Sequence, residues 1–330
     1  MSYRFILFIS ANKALDLSGF SKVEYSTNVE HTHIMKKNTK LKTKLDSLLT
    51  KYGRSYLESD PLMFPHRYSS NADREIVGLI SAVLAYGQVK IIQTNVGKIL
   101  RIMGSSPYDF TMNFDPSLAK NKTAFSSFKH RFNDGRDVMA LIYYIRQMFE
   151  SHGSIGAFFT EGYSSDHENI KEALISFTER TLTLSTGGAY GKNIKPPKDS
   201  YVRFLFPSPK DGSTCKRLNL YLRWMVRSDS HLTKNDRLDF GLWKDIPPSK
   251  LVIPVDTHIA RISRNLGLTD KKTTNWRVAE EITERLKALD PKDPVKYDFS
   301  LCRLGILDEC PSKVDKVKCA KCLIKEVCIL

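Results

Sequence analysis

A chain of 330 residues with 41% hydrophobic content is long enough for two packed domains or one large one, so it should fold independently. No apolar run reaches spanning length, which excludes a helical membrane protein. The net charge of +15 points to a polyanionic partner, and nucleic acid fits better than an anionic membrane because no basic amphipathic helix or anchor is evident.

Residues 1–34 open on MSYRFILFIS, an apolar run too short for a signal peptide and without a clean cleavage site. The polar stretch SKVEYSTNVEHTHIMKKNTK has no periodicity, so a disordered or mis-assigned extension is expected, with Met35 as an alternative start. The expected location is the cytoplasm, where thiols stay reduced.

From Leu41 the pattern is helix after helix. LKTKLDSLLTKYG puts Leu41, Leu45, Leu48 and Leu49 on one face before a stop at Gly53. DPLMFPHRY is a proline-broken connector. Ser70-Asn71-Ala72-Asp73 caps a helix whose Ile76, Leu79, Ile80, Val83 and Leu84 are apolar nearly all round, marking it as central. A turn over Ala85–Gln88 leads into a helix expected to bury Ile91, Ile92, Val96, Ile99 and Leu100. Further helices fit DVMALIYYIRQMFESHG, GSIGAFFTEGY and ENIKEALISFTERTLTL. Strand-like alternation is nearly absent, so the expected fold class is all-α.

STGGAYGKNIKPPKDS predicts a long exposed loop. Between Gly191 and Lys234, ten Lys or Arg stand against three Asp or Glu, interleaved with Tyr201, Phe204, Phe206, Tyr221 and Trp224. That is either a nucleic-acid face or a helix whose aromatics are core and whose cations are solvated. The turn Pro207–Thr214 is rich in Pro, Gly and hydroxyls, and its backbone N–H groups suit a phosphate. Lys216 follows in the first turn of a helix, where the dipole disfavours a charged ammonium and so favours a nucleophilic amine. A solvated lysine is the plainer alternative. In LVIPVDTHIARISRNLGL, Asp256 reads as the N-cap of a helix with Ile259, Ile262 and Leu266 inward.

Four of the six cysteines close the chain: Cys310, Cys319, Cys322 and Cys328 in C-x8-C-x2-C-x5-C spacing. Four thiolates so close together suit an iron–sulfur cube or zinc. A single C-x2-C with wider arms leans towards a 4Fe-4S cluster, with zinc as the alternative. Cys302, in FSLCRLGIL, is expected in the core.

The V-D-T-H segment at Val255–His258 resembles that of the helix-hairpin-helix DNA glycosylases, in particular their endonuclease III branch. Gly212, Lys216 and Asn219 match the family's G-x-x-x-K-x-x-N hairpin, and the cysteines match its C-x6-C-x2-C-x5-C loop with two extra residues in the first spacer. AVLAYGQVK is similar to the stretch ending in S-A-Q whose glutamine enters the duplex, a role that falls on Gln88. The departures are Ser-Pro-Lys-Asp-Gly in place of L-P-G-V-G and forty residues between Lys216 and Asp256. They suggest a separate bacterial branch.

The resemblance implies two helical domains around a DNA-binding cleft. Residues 35–69 would give a helix packing on the C-terminal domain, 70–249 a six-helix barrel-like domain with the hairpin, and 250–330 the C-terminal domain with the cluster loop. It implies a base-excision-repair glycosylase and AP lyase, monomeric and nucleoid-associated, acting on double-stranded DNA with a damaged or abasic nucleotide. Lys216 would be the nucleophile and Asp256 its charged partner. Gln88, Gly212, Ser213, Arg217, Lys318 and Lys321 would contact DNA. Two alternatives are a non-catalytic DNA-structure-binding protein of the same fold and a zinc-stabilised interaction module.

Overall fold

The computed structural model describes residues 18–229, 232–233 and 236–330, with side chains from Met35 onward. The fold is mostly helical, as the sequence predicts. The expectation for residues 1–17 lies outside the described residues. From Ser18, however, the chain is one helix, α1 (Ser18–Lys51), and the boundary expected near Met35 is absent. No proline interrupts this stretch, so backbone hydrogen bonding runs on past the point where apolar periodicity begins. Leu41, Leu45 and Leu48 are buried.

The connector forms short 3-10 turns at Arg54–Ser59, Pro61–Met63 and Pro65–Arg67. Next come α2 (Asn71–Val83), capped by Ser70, and α3 (Val89–Met103). Ile76, Leu79, Ile80, Val83 and Leu84 are fully buried, so α2 is central. On α3, Ile92, Val96, Ile99 and Leu100 face inward, whereas Ile91 is exposed. The buried stripe is one face wide, and a residue adjacent to Ile92 is rotated about 100° off it.

The chain continues through α4 (Pro107–Met112), α5 (Ala119–Phe125) and a two-stranded antiparallel hairpin, β1 (Lys129–His130) and β2 (Asn133–Asp134). There follow α6 (Gly135–His152), α7 (Ile155–Thr160), α8 (Lys171–Thr183), α9 (Val202–Leu205) and α10 (Lys216–Val226). Buried Glu75 of α2 satisfies the start of α7, accepting from Ile155 N at 2.8 Å, while its other oxygen accepts from Trp243 Nε1 at 2.9 Å. The last helices are α11 (Thr257–Asn265), α12 (Trp276–Lys287), α13 (Asp298–Ile306) and α14 (Lys316–Lys321). α10 packs on α2, α11 on α13, and α1 on α13. α1 is also tied to the C-terminal segment by Lys44–Glu326 and Lys51–Glu309 ion pairs.

Only part of the basic stretch is a solvent face: Lys192, Lys195, Lys198, Arg203 and Lys210 are exposed, whereas Arg217, Arg223 and Arg227 are buried. Phe206, Tyr221 and Trp224 are core, and only Tyr201 and Phe204 are exposed. Arg223 and Arg227 are buried in ion pairs: Arg223 with Asp239 and Asp298, Arg227 with Asp229, Asp239 and Asp293. Long-range carboxylates thus neutralise cations that look free in sequence. The segment between α10 and α11 is stitched to the same helices, with Phe240 N donating to Trp224 O at 2.8 Å and Trp243 N to Met225 O at 2.9 Å.

Candidate active site

The hairpin before α10 is built from local hydrogen bonds. Ser208 caps the 3-10 turn Pro209–Asp211, and Gly212 follows with φ +74°, a conformation that favours glycine. Gly212 O accepts from Trp276 N at 3.1 Å. Ser213 Oγ accepts from Cys215 N at 3.1 Å, and Thr214 Oγ donates to Val255 O at 3.1 Å, joining the hairpin to the strand-like lead-in of α11. Cys215 has φ +48°, strained for a non-glycine residue, and its thiol donates to Pro207 O. Asn219 Nδ2 reaches back to Thr214 O at 3.0 Å and so ties the loop to its helix. Among the described residues, the amides of Ser213 and Thr214 meet no acceptor.

This scaffold places Lys216 at the first residue of α10, half-buried, with Nζ 3.9 Å from Asp256 Oδ2. The two oxygens of Asp256 face different tasks. Oδ1 accepts from His258 N and Ile259 N, both at 2.9 Å, capping α11, and Oδ2 is turned to the amine. The residues forty apart in sequence therefore meet at the starts of two helices, the ends whose dipoles disfavour ammonium and favour carboxylate.

Lys216 and Asp256 line a cavity of about 490 Å³ with Tyr86, His258, Cys302 and Asp60. Arg303 fixes the wall, donating to Ser59 O at 3.0 Å, Ser59 Oγ at 2.8 Å and Asp60 Oδ2 at 2.6 Å. Beneath the pair, Asp298 is held by Arg223; burial pushes its carboxyl up to about 6, and the Asp256 charge acts in the same direction while Arg223 and Lys216 oppose it. Burial, reinforced by Asp256 and Asp298, pushes the Cys302 thiol up to about 12. Cys302 is thus a protonated thiol of the cavity wall rather than a nucleophile. Among the described residues, His258 Nδ1 is buried without a hydrogen-bond partner, and a Cβ on Gly305 would come within 2.7 Å of it.

The sequence singles out Lys216 and Asp256, and they are together. Tyr86, Asp60 and Cys302 were missed as cavity residues, and Asp298 as the carboxylate behind them, because only tertiary packing brings them there; His258 stood in the V-D-T-H segment, which was the signal available. Gln88 is exposed, at the N-cap of α3 between the cavity residues Gly87 and Val89. Arg217 is otherwise placed than a phosphate contact requires. It is 8% exposed, donates to Val83 O at 2.7 Å and to Phe204 O, and burial lowers it to about 10, still charged at neutral pH. Lys318 pairs with Asp308, and Lys321 is exposed.

Among the described residues, no cysteine is in a disulfide. Cys310, Cys322 and Cys328 lie within electrostatic reach of one another, as do Cys319 and Cys322, and Cys310 Sγ accepts from Asn265 Nδ2 at 3.7 Å. An amide N–H on a sulfur is the environment that suits a ligating thiolate. The donor set therefore fits a thiolate-bound group in kind. In placement, among the described residues, no group of three or more His, Cys, Asp or Glu side chains is positioned to hold a metal ion. No helix of the described residues is long and apolar enough to cross a membrane.

No curated protein and no solved structure matches this chain. A family model matches residues 60–307, a span that includes α2 to α13 and with them Lys216 and Asp256, and by that match the chain belongs to the family described as "Protein of unknown function (DUF2400)".

Proposed function

We propose that the protein is a DNA glycosylase with AP lyase activity, working through a Schiff base on Lys216. The carrying observation is the pair itself: an amine and a carboxylate 3.9 Å apart, in a cavity of about 490 Å³. The partner is double-stranded DNA with a damaged or abasic nucleotide, approached by a monomer whose +15 charge favours association. Residues 70–249 and 250–330, the latter with α1 and the connector up to residue 69, form the two sides of the DNA-binding cleft. The target nucleotide leaves the stack and enters the cavity. Gln88 occupies the space it vacates, and the amides of Ser213 and Thr214, presented by the turn at Gly212, receive a phosphate.

Lys216 reacts as the free amine, having given a proton to Asp256 directly or through one water. The Nζ–C1′ bond forms as the C1′–base bond breaks, with its electron pair leaving on the base, which takes up a proton. The added nitrogen loses a proton, and the C1′–O4′ bond then breaks with its electron pair on O4′, which takes up a proton, leaving the Nζ=C1′ iminium; Asp256 stays close to the positive charge throughout. Loss of a 2′ proton expels the 3′ phosphate, and water releases the amine. Cys310, Cys319, Cys322 and Cys328 would hold a 4Fe-4S cluster, or zinc, which would brace the C-terminal loop and so leave Lys321 facing the DNA backbone.

An incision assay on duplex DNA with one abasic site tests this reading. Wild type should nick the strand by β-elimination and Lys216→Ala should leave it intact. Equal nicking by both would refute Lys216 as nucleophile. No nicking by wild type on this duplex or on a panel of damaged bases would favour the non-catalytic DNA-binding reading, in which Asp256 only caps α11.

A further inference from the structure

Beside the cavity, the β1–β2 hairpin turns through Arg131 and Phe132. Arg131 has φ +53°, a left-handed backbone seldom adopted by arginine, and the turn leaves both tip side chains in solvent. Phe132 is 44% exposed and lies flat against Tyr201, 51% exposed, with ring centroids 5.6 Å apart and planes 18° apart. Phe204, 40% exposed, meets Phe132 edge-on at 5.6 Å. Three contiguous exposed aromatic rings are unusual on a solvated surface and mark a contact face.

Two features identify its occupant. The first is charge. Arg131 stands 5.5 Å from the Phe132 ring and 6.0 Å from the Tyr86 ring, and among the described residues no carboxylate pairs with it. Lys90 and Lys129 are also exposed. The acid of the hairpin, Asp134, is already held by Arg136. Stacked aromatics with unpaired cations suit the flat face of a base and its phosphate better than an apolar peptide. The second is continuity with the cavity. Phe204 meets Tyr86 edge-on at 5.1 Å, Tyr86 lines the cavity, and a Cβ on Gly87 would fall 3.1 Å from Arg131 Cδ, next to Gln88.

We propose that Phe132 and Tyr201, with Arg131, form a stacking site for an unpaired nucleobase of the DNA held at the cavity. The proposal rests on DNA being the partner. When one nucleotide is drawn into the cavity, the bases opposite and beside it lose their neighbours, and the hydrophobic plane at the cavity edge takes one of them while Arg131 neutralises its phosphate.

The test uses the full chain and duplexes with one abasic site and a 2-aminopurine either opposite or next to it, beside a fully paired duplex. Binding should quench the fluorescence in one of the two abasic duplexes, the quenched one identifying the stacked base. Phe132→Ala with Tyr201→Ala should lose the quench and bind that duplex about tenfold more weakly, with the paired duplex unchanged within about twofold. Phe132→Trp should keep both. These exposed positions leave the core intact, and an unchanged melting temperature checks that. Quench and affinity retained in the double variant would overturn the proposal and point to a protein partner for this face. Borohydride trapping on the same duplexes separates the two ideas. Trapping without a quench sinks the stacking site alone, a quench without trapping sinks the Lys216 chemistry alone, and absence of binding sinks both.

Discussion

Asp256 does two jobs with two oxygens, and substitutions can divide them. Asparagine caps helices about as well as aspartate, so Asp256→Asn should leave stability nearly unchanged while removing the charge beside Lys216. The expected result is a fall of about 10² to 10⁴ in single-turnover rate with an unshifted melting curve. Asp256→Ala should lose the same activity and, in addition, about 1 kcal/mol of stability in urea. An asparagine variant with wild-type rate would assign Asp256 to capping alone. Both members of the pair were legible because each sits at a recognisable helix start. Asp298 and Cys302 were not: both are set by burial, and Asp298 is held by Arg223, which lies 75 positions away. Arg217 was misjudged for the same reason, since nothing local distinguishes an arginine bonded to Val83 O and Phe204 O from one facing solvent.

The helices were legible where one apolar stripe meets one cap, as in α2 and α11, and their limits were not where polar sequence continues a helix, as in α1 before Met35. The least legible element was the segment joining α10 to α11. It looks like an insertion, but Asp239 bridges Arg223 and Arg227 there and Trp243 reaches Glu75. Asp239→Ala should therefore cost about 3–5 kcal/mol, by leaving two buried guanidinium groups short of a partner. A loss below 1 kcal/mol by chemical denaturation would contradict the bracing role. His66 links the connector to the same segment: Arg54 donates to Nδ1 at 3.1 Å and Nε2 donates to Leu238 O at 2.7 Å. Burial lowers His66 to about 4, below its unfolded value near 6.5. The neutral ring's stabilisation is then complete above pH 6.5 and is lost as pH falls towards 4. Thermal melts should show this drop in wild type, and it should be shallower in His66→Gln.

At the scale of the molecule, composition was a partial guide. The +15 charge is not lodged in the interior, because the buried Arg223, Arg227 and Arg303 are matched there by Asp60, Asp229, Asp239, Asp293 and Asp298, so the cations that can meet DNA lie on the surface, Arg131 among them. Affinity should fall steeply between low and moderate salt, and Lys321→Ala should reduce the logarithmic slope by about one if that lysine meets a phosphate. An unchanged slope would remove it from the interface. The four C-terminal cysteines were legible by spacing alone, and the binding they imply is open to a direct reading. Purified protein with a 4Fe-4S cluster would be brown, and Cys322→Ser should bleach it and weaken DNA binding. If the two helix starts assemble an amine nucleophile, borohydride reduction of the protein on an abasic duplex, followed by peptide mapping, captures it. One covalent adduct is expected, on Lys216, absent in Lys216→Ala. An adduct on any other lysine, or one that survives that substitution, would contradict this assignment.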